Sequence, residues 1–320
     1  MTTANPSTRT ANGGARWHES FTRTEIQDLV RMNDWRSWGT LALDWGLIAA
    51  AMMLAALWPN PLTIVVALVI IGTRQLGLAV IMHEAAHRSF FSNKRTNDTV
   101  VSWLACYPIW SDLHTYRDYH LQHHAKTWTD EDPDKHLATP FPITKGSFGR
   151  KVVRDLTGQT GRKFLRFAAR RDLGTEGSLL ERLRLGLSNH RFRGMLITNG
   201  ILLTVVSLAG HPWLYLLWVG SYITWNALVT RIRAIAEHSM TPDPTQELLQ
   251  TRTTLASWWE RLLIAPNRVN YHLEHHLLMT VPHYNLPRMH RMLKDRGVLD
   301  EALVANGYAS VLRLATSANP

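Results

Sequence analysis

Cysteine is almost absent from this chain: Cys106 stands alone in 320 residues. One thiol excludes an internal disulfide, a CxxC redox pair and a cysteine-ligated iron–sulfur cluster within the chain. Acidic residues are also scarce, 25 against 35 Lys plus Arg, which leaves a formal charge of +10. Charge of either sign is missing from two long stretches. Residues 39–82 and 195–230 contain only Asp44 and Arg74, so the other 58 of 60 charges (35 plus 25) lie elsewhere. A soluble fold has no reason to segregate charge so sharply. The chain has no Gly-rich dinucleotide loop after a strand, and no basic stripe interleaved with aromatics that would suit nucleic acid.

The two uncharged blocks are long apolar runs. The first, 41–82, is split at Trp58-Pro59-Asn60-Pro61, and the second, 195–230, at Gly210-His211-Pro212. Each half has roughly 17–22 residues, enough to cross a hydrocarbon core of about 30 Å. The expected fold is therefore all-α and integral to the membrane, with four transmembrane helices in two hairpins and a helical cap on one side. All Lys and Arg except Arg74 lie outside the blocks, and none lies in the two turns. Positive charge collects in cytoplasmic loops, so the cap and both termini are assigned to the cytoplasm. Tryptophans 38, 58, 213 and 225 near the block ends suit an interfacial belt.

This reading divides the chain into five parts. Residues 1–38 form a cytoplasmic tail and interfacial helix, 39–82 hairpin 1, 83–194 a cytoplasmic region, 195–230 hairpin 2, and 231–320 a second cytoplasmic region. Residues 1–16 are polar and Gly/Ser/Thr-rich, expected to be a disordered tail and not a signal peptide. The apolar run 99–110 is too short to span and is expected in the interface or re-entrant. Residues 145–193 read as a basic loop plus an amphipathic helix on anionic lipid.

Sixteen histidines are many for this length, and their placement matters more than their number. Three clusters stand out: His83-Glu-Ala-Ala-His87, His120-Leu-Gln-His123-His124 and His272-Leu-Glu-His275-His276. On a helix, positions i, i+3 and i+4 share a face, so each cluster aims its rings at one point. At one His in twenty, HxxxH arises by chance about once per chain, whereas HxxHH arises about 0.04 times. Two copies of HxxHH on one side of a membrane are not an accident of composition. Neutral imidazole binds zinc, copper, nickel or iron. Eight ligands suit two ions better than one, and the set lacks the bridging Glu residues of soluble di-iron bundles.

The three boxes, in this order on a four-span scaffold, resemble the membrane-bound fatty acid desaturase family. Arg74-Gln75, Tyr116-Arg117, Asp132-Pro133-Asp134, Ala236-Glu237-His238 and Tyr284-Asn285-Leu286-Pro287 resemble its acyl-lipid branch, covering about 40–290. The resemblance implies a ninth ligand after the last span, matched by His238. It implies that His83, His87, His120, His123, His124, His238, His272, His275 and His276 hold two Fe ions, with O2 as co-substrate. A fatty acyl chain then loses two hydrogens to give an alkene, with hydroxylation, ketolation or oxidative decarboxylation as alternatives on the same scaffold. It also implies a bacterial inner-membrane location and electrons from a ferredoxin or cytochrome b5-type carrier, which the basic cytoplasmic surface would suit. Two departures argue against the acyl-CoA branch. The first box is one residue shorter than in that branch, and Ala234 stands where it has an Asn that supports one iron through water; Asn270 or Glu237 is expected to supply that contact.

Metal-bound histidines donate their second N–H to a carboxylate or carbonyl, so Glu84, Glu274 and the acidic run 130–134 are expected partners. Arg74, inside the membrane block, is expected to meet a substrate head group or orient a box, or else to pair with Asp44. His18, His136 and His190 read as solvated, and His114, His283 and His290 as nearer the boxes. His211 falls in the outer turn and is left out. Cys106 reads as a small buried apolar residue, and Trp103, Trp110, Trp258 and Trp259 as interfacial. His83-Glu84-Ala-Ala-His87 also matches the HExxH pattern of zinc membrane proteases, in which the Glu is a general base. That reading leaves both HxxHH boxes idle. A non-enzymatic metal-binding membrane protein would want ligands along a path through the membrane, not on one face.

Overall fold

The structure, a computed structural model, describes residues 17–243 and 245–319. The expected tail 1–16 lies outside the described residues. Helices dominate. α1 (Arg23–Val30) starts at a capping box in which Thr22 and Glu25 satisfy each other's backbone N–H groups. α2 (Asp34–Leu57) is capped by Asn33, whose side chain accepts from the N–H groups of Trp35 and Arg36. α3 (Pro61–Ala86) begins with Asn60 as N-cap and Pro61 in its first turn, where the missing N–H is harmless. The turn expected at 58–61 is thus a stop followed by a start, and α2 and α3 fold back on each other.

Three helices are long and apolar enough to cross a membrane, within Arg23–Leu57, Pro61–Ala86 and His190–Leu208. The fourth expected span is built differently. Leu214–Ser221 is α-helical, Tyr222–Asn226 makes a π-turn, and Ala227–His238 resumes the α-helix, so the rod runs through a widened turn. No single α-segment of that rod reaches the length of a span. Gly72 of α3 lies against the π-turn: a Cβ there would sit 2.9 Å from Asn226 N and from Trp225 Cβ. Only glycine permits that approach, and Asn226 Nδ2 uses it to donate to the Gly72 carbonyl at 3.2 Å.

The main apolar core fills the space between α2, α3, the segment 94–109 and the helices of 190–221. Ile48, Ile71, Leu78, Phe90, Met195 and Trp218 are almost fully buried there. Leu62, Ile201, Leu208 and Leu216 instead expose their side chains along the outer faces, as lipid contact requires. The run expected in the interface is α4 (Lys94–Val101), a π-turn Ser102–Cys106 and a 3₁₀ turn Tyr107–Ile109, packed under α3 with Cys106 wholly buried.

Residues 145–193 are more ordered than a loop with one helix. Three helices, Lys145–Leu156, Gln159–Leu173 and Leu179–Ser188, lie there, and Asp155 pairs with Arg231 at 2.5 Å. Leu179–Ser188 is the expected amphipathic helix, and the apolar stripes of the other two are short and interrupted by basic residues. The all-α expectation has one exception: Thr253–Thr254 pairs in parallel with Val304–Ala305. Two residues per strand leave no periodicity to read.

The Gly72 contact yields a prediction. Gly72→Val should lower stability by about 2 kcal/mol through overpacking, while Gly46→Ala, inside α2 with nothing within 4 Å of its Cβ, should leave stability unchanged or raise it by up to about 1 kcal/mol. Thermal unfolding of the two detergent-solubilised variants decides the matter, and equal melting curves would refute the tight crossing.

Candidate metal centre

The first box occupies the last turn of α3, with His83 inside it and His87 as its C-cap. Carbonyls at a helix C-terminus lack intrahelical partners. Here they are held by Arg117, which donates to Ala86 O at 3.0 Å and Ala85 O at 2.9 Å while pairing with Asp98 at 2.6 Å. Arg117 sits on α5 (Leu113–Lys126), the helix that carries the second box. One side chain therefore ties box one to box two. His238 ends the rod, and box three forms the short helix His272–Leu277.

All nine expected ligands converge. One ligand atom each from His83, His87, His120, His124 and His275 lies within 4.8 Å of the others. His123, His238 and His276 form a second such group, and Glu237, His238 and His272 a third that shares His238. Nitrogen faces nitrogen across these groups: 3.1 Å for His120–His124, 3.1 Å for His124–His275 and 2.8 Å for His238–His272. Two nitrogens each roughly 2.1 Å from a shared ion, at right angles to one another, sit about 3.0 Å apart. Both nitrogens of His83 and His87, Nδ1 of His275 and Nε2 of His276 are buried without a hydrogen-bond partner. Unpaired buried polar atoms are costly, and a coordinated cation satisfies them. The donor set fits metal.

Burial also favours, for five of these rings, the neutral form that binds metal. Burial, followed by repulsion from neighbouring histidines, holds His120, His272, His275 and His276 far below the usual imidazole value of 6.5. His124 is held down to about 2 by the same causes.

Second contacts orient several rings. His123 Nδ1 lies 2.8 Å from Asp132 Oδ1, and Asp132 also accepts from the backbone N–H groups of Trp128 and Asp134. Of the acidic run, Asp132 is therefore the buried partner, while Asp130 and Glu131 are exposed. Glu237 Oε1 accepts from Arg233 Nε at 2.6 Å and lies 3.6 Å from His272 Nδ1. Burial lifts the Glu237 carboxyl to about 7, against the opposing pull of Arg233. Glu84 stays 3.8 Å from His83 and accepts instead from the His283 N–H at 2.8 Å. Glu274 turns to Thr253 and to His290, 2.5 Å away, and not to a ring of the nine. Asn270 donates to Thr254 O at 2.9 Å, and its Oδ1 is buried without a partner.

Arg74 pairs with Asp44 at 3.1 Å and donates to Leu262 O at 3.0 Å, so its charge is satisfied within the protein. His18, His114, His136 and His190 are exposed, and His211 lies outside all three groups. Sequence reading missed Thr253 and the clamping role of Arg117. Neither residue type signals a site by itself; only the contact reveals the role.

These shifts set a pH dependence. A ring that stays neutral in the fold but protonates at 6.5 when unfolded gives the unfolded chain more protons below that value. Stability and metal retention should therefore fall as pH drops from about 7 to about 5. Tryptophan fluorescence melts and metal content after dialysis test this, and constant values across that range would refute buried neutral imidazoles.

The profile of the family described as fatty acid desaturase matches residues 59–304, which include all nine histidines. The chain is 26% identical over 271 residues to dihydrorhizobitoxine desaturase of Bradyrhizobium elkanii, covering 80% of this chain and 75% of that one. It is 26% identical over 241 residues to a chloroplastic omega-6 fatty acid desaturase of Brassica napus, covering 70% of this chain. It spans about half, 52%, of that plant relative's length. The sn-1 oleoyl-lipid 12-desaturase of Synechocystis is 25% identical over 241 residues, covering 70% and 66% of the two chains. Nine convergent histidines, apolar helices long enough to cross a membrane and this match agree: the chain belongs to the fatty acid desaturase family and is an oxidoreductase.

Proposed function

We propose that the protein is a membrane di-iron enzyme that uses O2 to introduce a C=C bond into a fatty acyl chain carried by a lipid. The convergence of nine buried or half-buried imidazoles into a set of five and a set of four is the observation that carries the reading. His83, His87, His120, His124 and His275 would hold one iron, and His123, His238, His272 and His276 the other. When bound, the two irons would supply the one-electron and dioxygen chemistry that removes hydrogen from an unactivated methylene. O2, two electrons, two protons and two hydrogens from adjacent methylenes balance as one alkene and two waters.

The chain's own residues prepare that chemistry. Asp132 would accept a hydrogen bond from His123 Nδ1–H and so leave Nε2 free to ligate. Glu237, anchored by Arg233, faces His272 Nδ1 and would supply the support for the second iron that Ala234 cannot give. Burial of the cluster excludes bulk water from the reacting chain. Four membrane crossings, with the π-turn rod as the fourth, would put all nine rings on the cytoplasmic side of a bacterial inner membrane. The electrons come from outside: a single cysteine and the lack of a dinucleotide loop leave the chain without a redox relay of its own. A ferredoxin or cytochrome b5-type carrier suits the positively charged cytoplasmic face.

His120→Ala should lower metal content from about two ions per chain to about one and abolish activity. His211→Ala should keep both. Elemental analysis of purified protein and gas chromatography of lipids from an expressing host measure the two effects. A new alkene in the wild type supports desaturation, a new alcohol moves the assignment to hydroxylation, and full activity in His120→Ala overturns the ligand set.

A further inference from the structure

A groove of about 800 Å³ opens between the cytoplasmic end of α2 and the segments 258–268 and 283–287. Its lining is chemically lopsided. Arg36, Arg74, Arg261 and Arg268 border it, and no carboxylate does. Arg74 is neutralised by Asp44. Arg261 donates only to a backbone carbonyl, Ala256 O at 2.7 Å, and Arg36 lies over the Tyr284 ring at 5.2 Å. Among the described residues, no carboxylate pairs with Arg36, Arg261 or Arg268. Three cationic groups therefore share one groove without a counter-charge.

The backbone holds one of them in place. Asn267 and Arg268 both take left-handed conformations, with φ of 52° and 62°. Such angles cost energy for non-glycine residues and persist where surroundings enforce them. Here Asn267 Nδ2 donates to Asp44 Oδ2 at 2.7 Å and to Gly77 O at 3.0 Å, locking the bend that presents Arg268. The other end of the groove is apolar: Leu43 and Leu47 on the outer face of α2, with Trp258 71% exposed beside them. Exposed tryptophans of this kind settle at the level of lipid head groups. The inner wall, made by Asn267, Arg268 and His283, also bounds a small cavity that touches His83, His272 and His275. One layer of side chains separates the groove from the cluster.

We propose that this groove seats the phosphate-bearing head group of a membrane glycerolipid, with Arg36 and Arg268 on the phosphate and the acyl portion along Leu43 and Leu47. The proposal rests on the desaturase reading and names the head-group chemistry of its substrate. Guanidinium binds phosphate through paired charge-assisted hydrogen bonds, which an uncharged sugar head group does not reproduce. General attraction of a basic surface to anionic lipid would instead be indifferent to which cation is removed.

The test uses metal-loaded full-length protein in galactolipid micelles, without reductant, and radiolabelled dioleoylphosphatidylglycerol as probe. It should bind about tenfold more tightly than a radiolabelled galactolipid with the same chains. The double variant Arg36→Gln/Arg268→Gln should lose that preference while keeping its metal, and Lys163→Gln, an exposed cation elsewhere, should retain it. Equal affinity for the two lipids, or a preference that survives the double variant, overturns the proposal. Displacement of the phospholipid by equimolar oleoyl-CoA also overturns it, since the phosphate would then belong to a soluble thioester. If wild-type protein with reductant and O2 forms no alkene yet binds phosphatidylglycerol through these arginines, the desaturase reading fails and the head-group seat stands.

Discussion

Bringing nine imidazoles together largely away from water is the constraint on which this structure depends. Each ring carries a lone pair that needs a proton or a cation, and several point at one another across about 3 Å with nothing else to bind. Such an arrangement is unfavourable as an apolar core and unfavourable as a hydrogen-bond network. It becomes favourable when a cation sits between the nitrogens. Folding and metal binding are thereby linked, and the protein around the rings has to hold positions that the rings alone would not choose.

The surrounding contacts do this by joining elements distant in sequence. Arg117 fixes the end of α3 to α5, so two boxes move as one unit. Box three is steadied from behind: Glu274 reaches Thr253 in the small sheet and His290 on the helix Leu286–Asp295. Asn285 and Tyr284 take hold of the chain ahead of α2, with Asn285 Nδ2 on Leu29 O at 2.9 Å and Tyr284 Oη accepting from Asn33 N–H at 2.6 Å. The N-terminal segment is thus tied to the stretch that follows box three.

Much of this was legible in the sequence because its signals are of two strong kinds. Uncharged runs mark spans, and repeated His spacings mark a shared helix face, so α2, α3, His190–Leu208 and the eight box rings could be named in advance, while His238 rested on the family resemblance alone. The rest depends on long-range contact. Arg74 and Asp44 are 30 residues apart and their pairing was one option among several, until the crossing of α2 and α3 joined them. Asp132 could not be told from its acidic neighbours, because burial and not composition distinguishes it. The helices Lys145–Leu156 and Gln159–Leu173 and the two-residue strands were missed for the same reason: what stabilises them is the partner, not a local pattern.

The π-turn at Tyr222–Asn226 acts as a phase setting. An α-helix turns about 100° per residue, and a π-turn takes up one residue more than the α-helical path needs. Upstream of it, Trp218 O accepts from Gln75 of α3; twelve residues beyond it, His238 points into the ring cluster. The two ends therefore answer to different rotational registers, reconciled by a single extra residue. Within this rod a change of one residue would swing the ninth ring about a quarter-turn away from its eight companions.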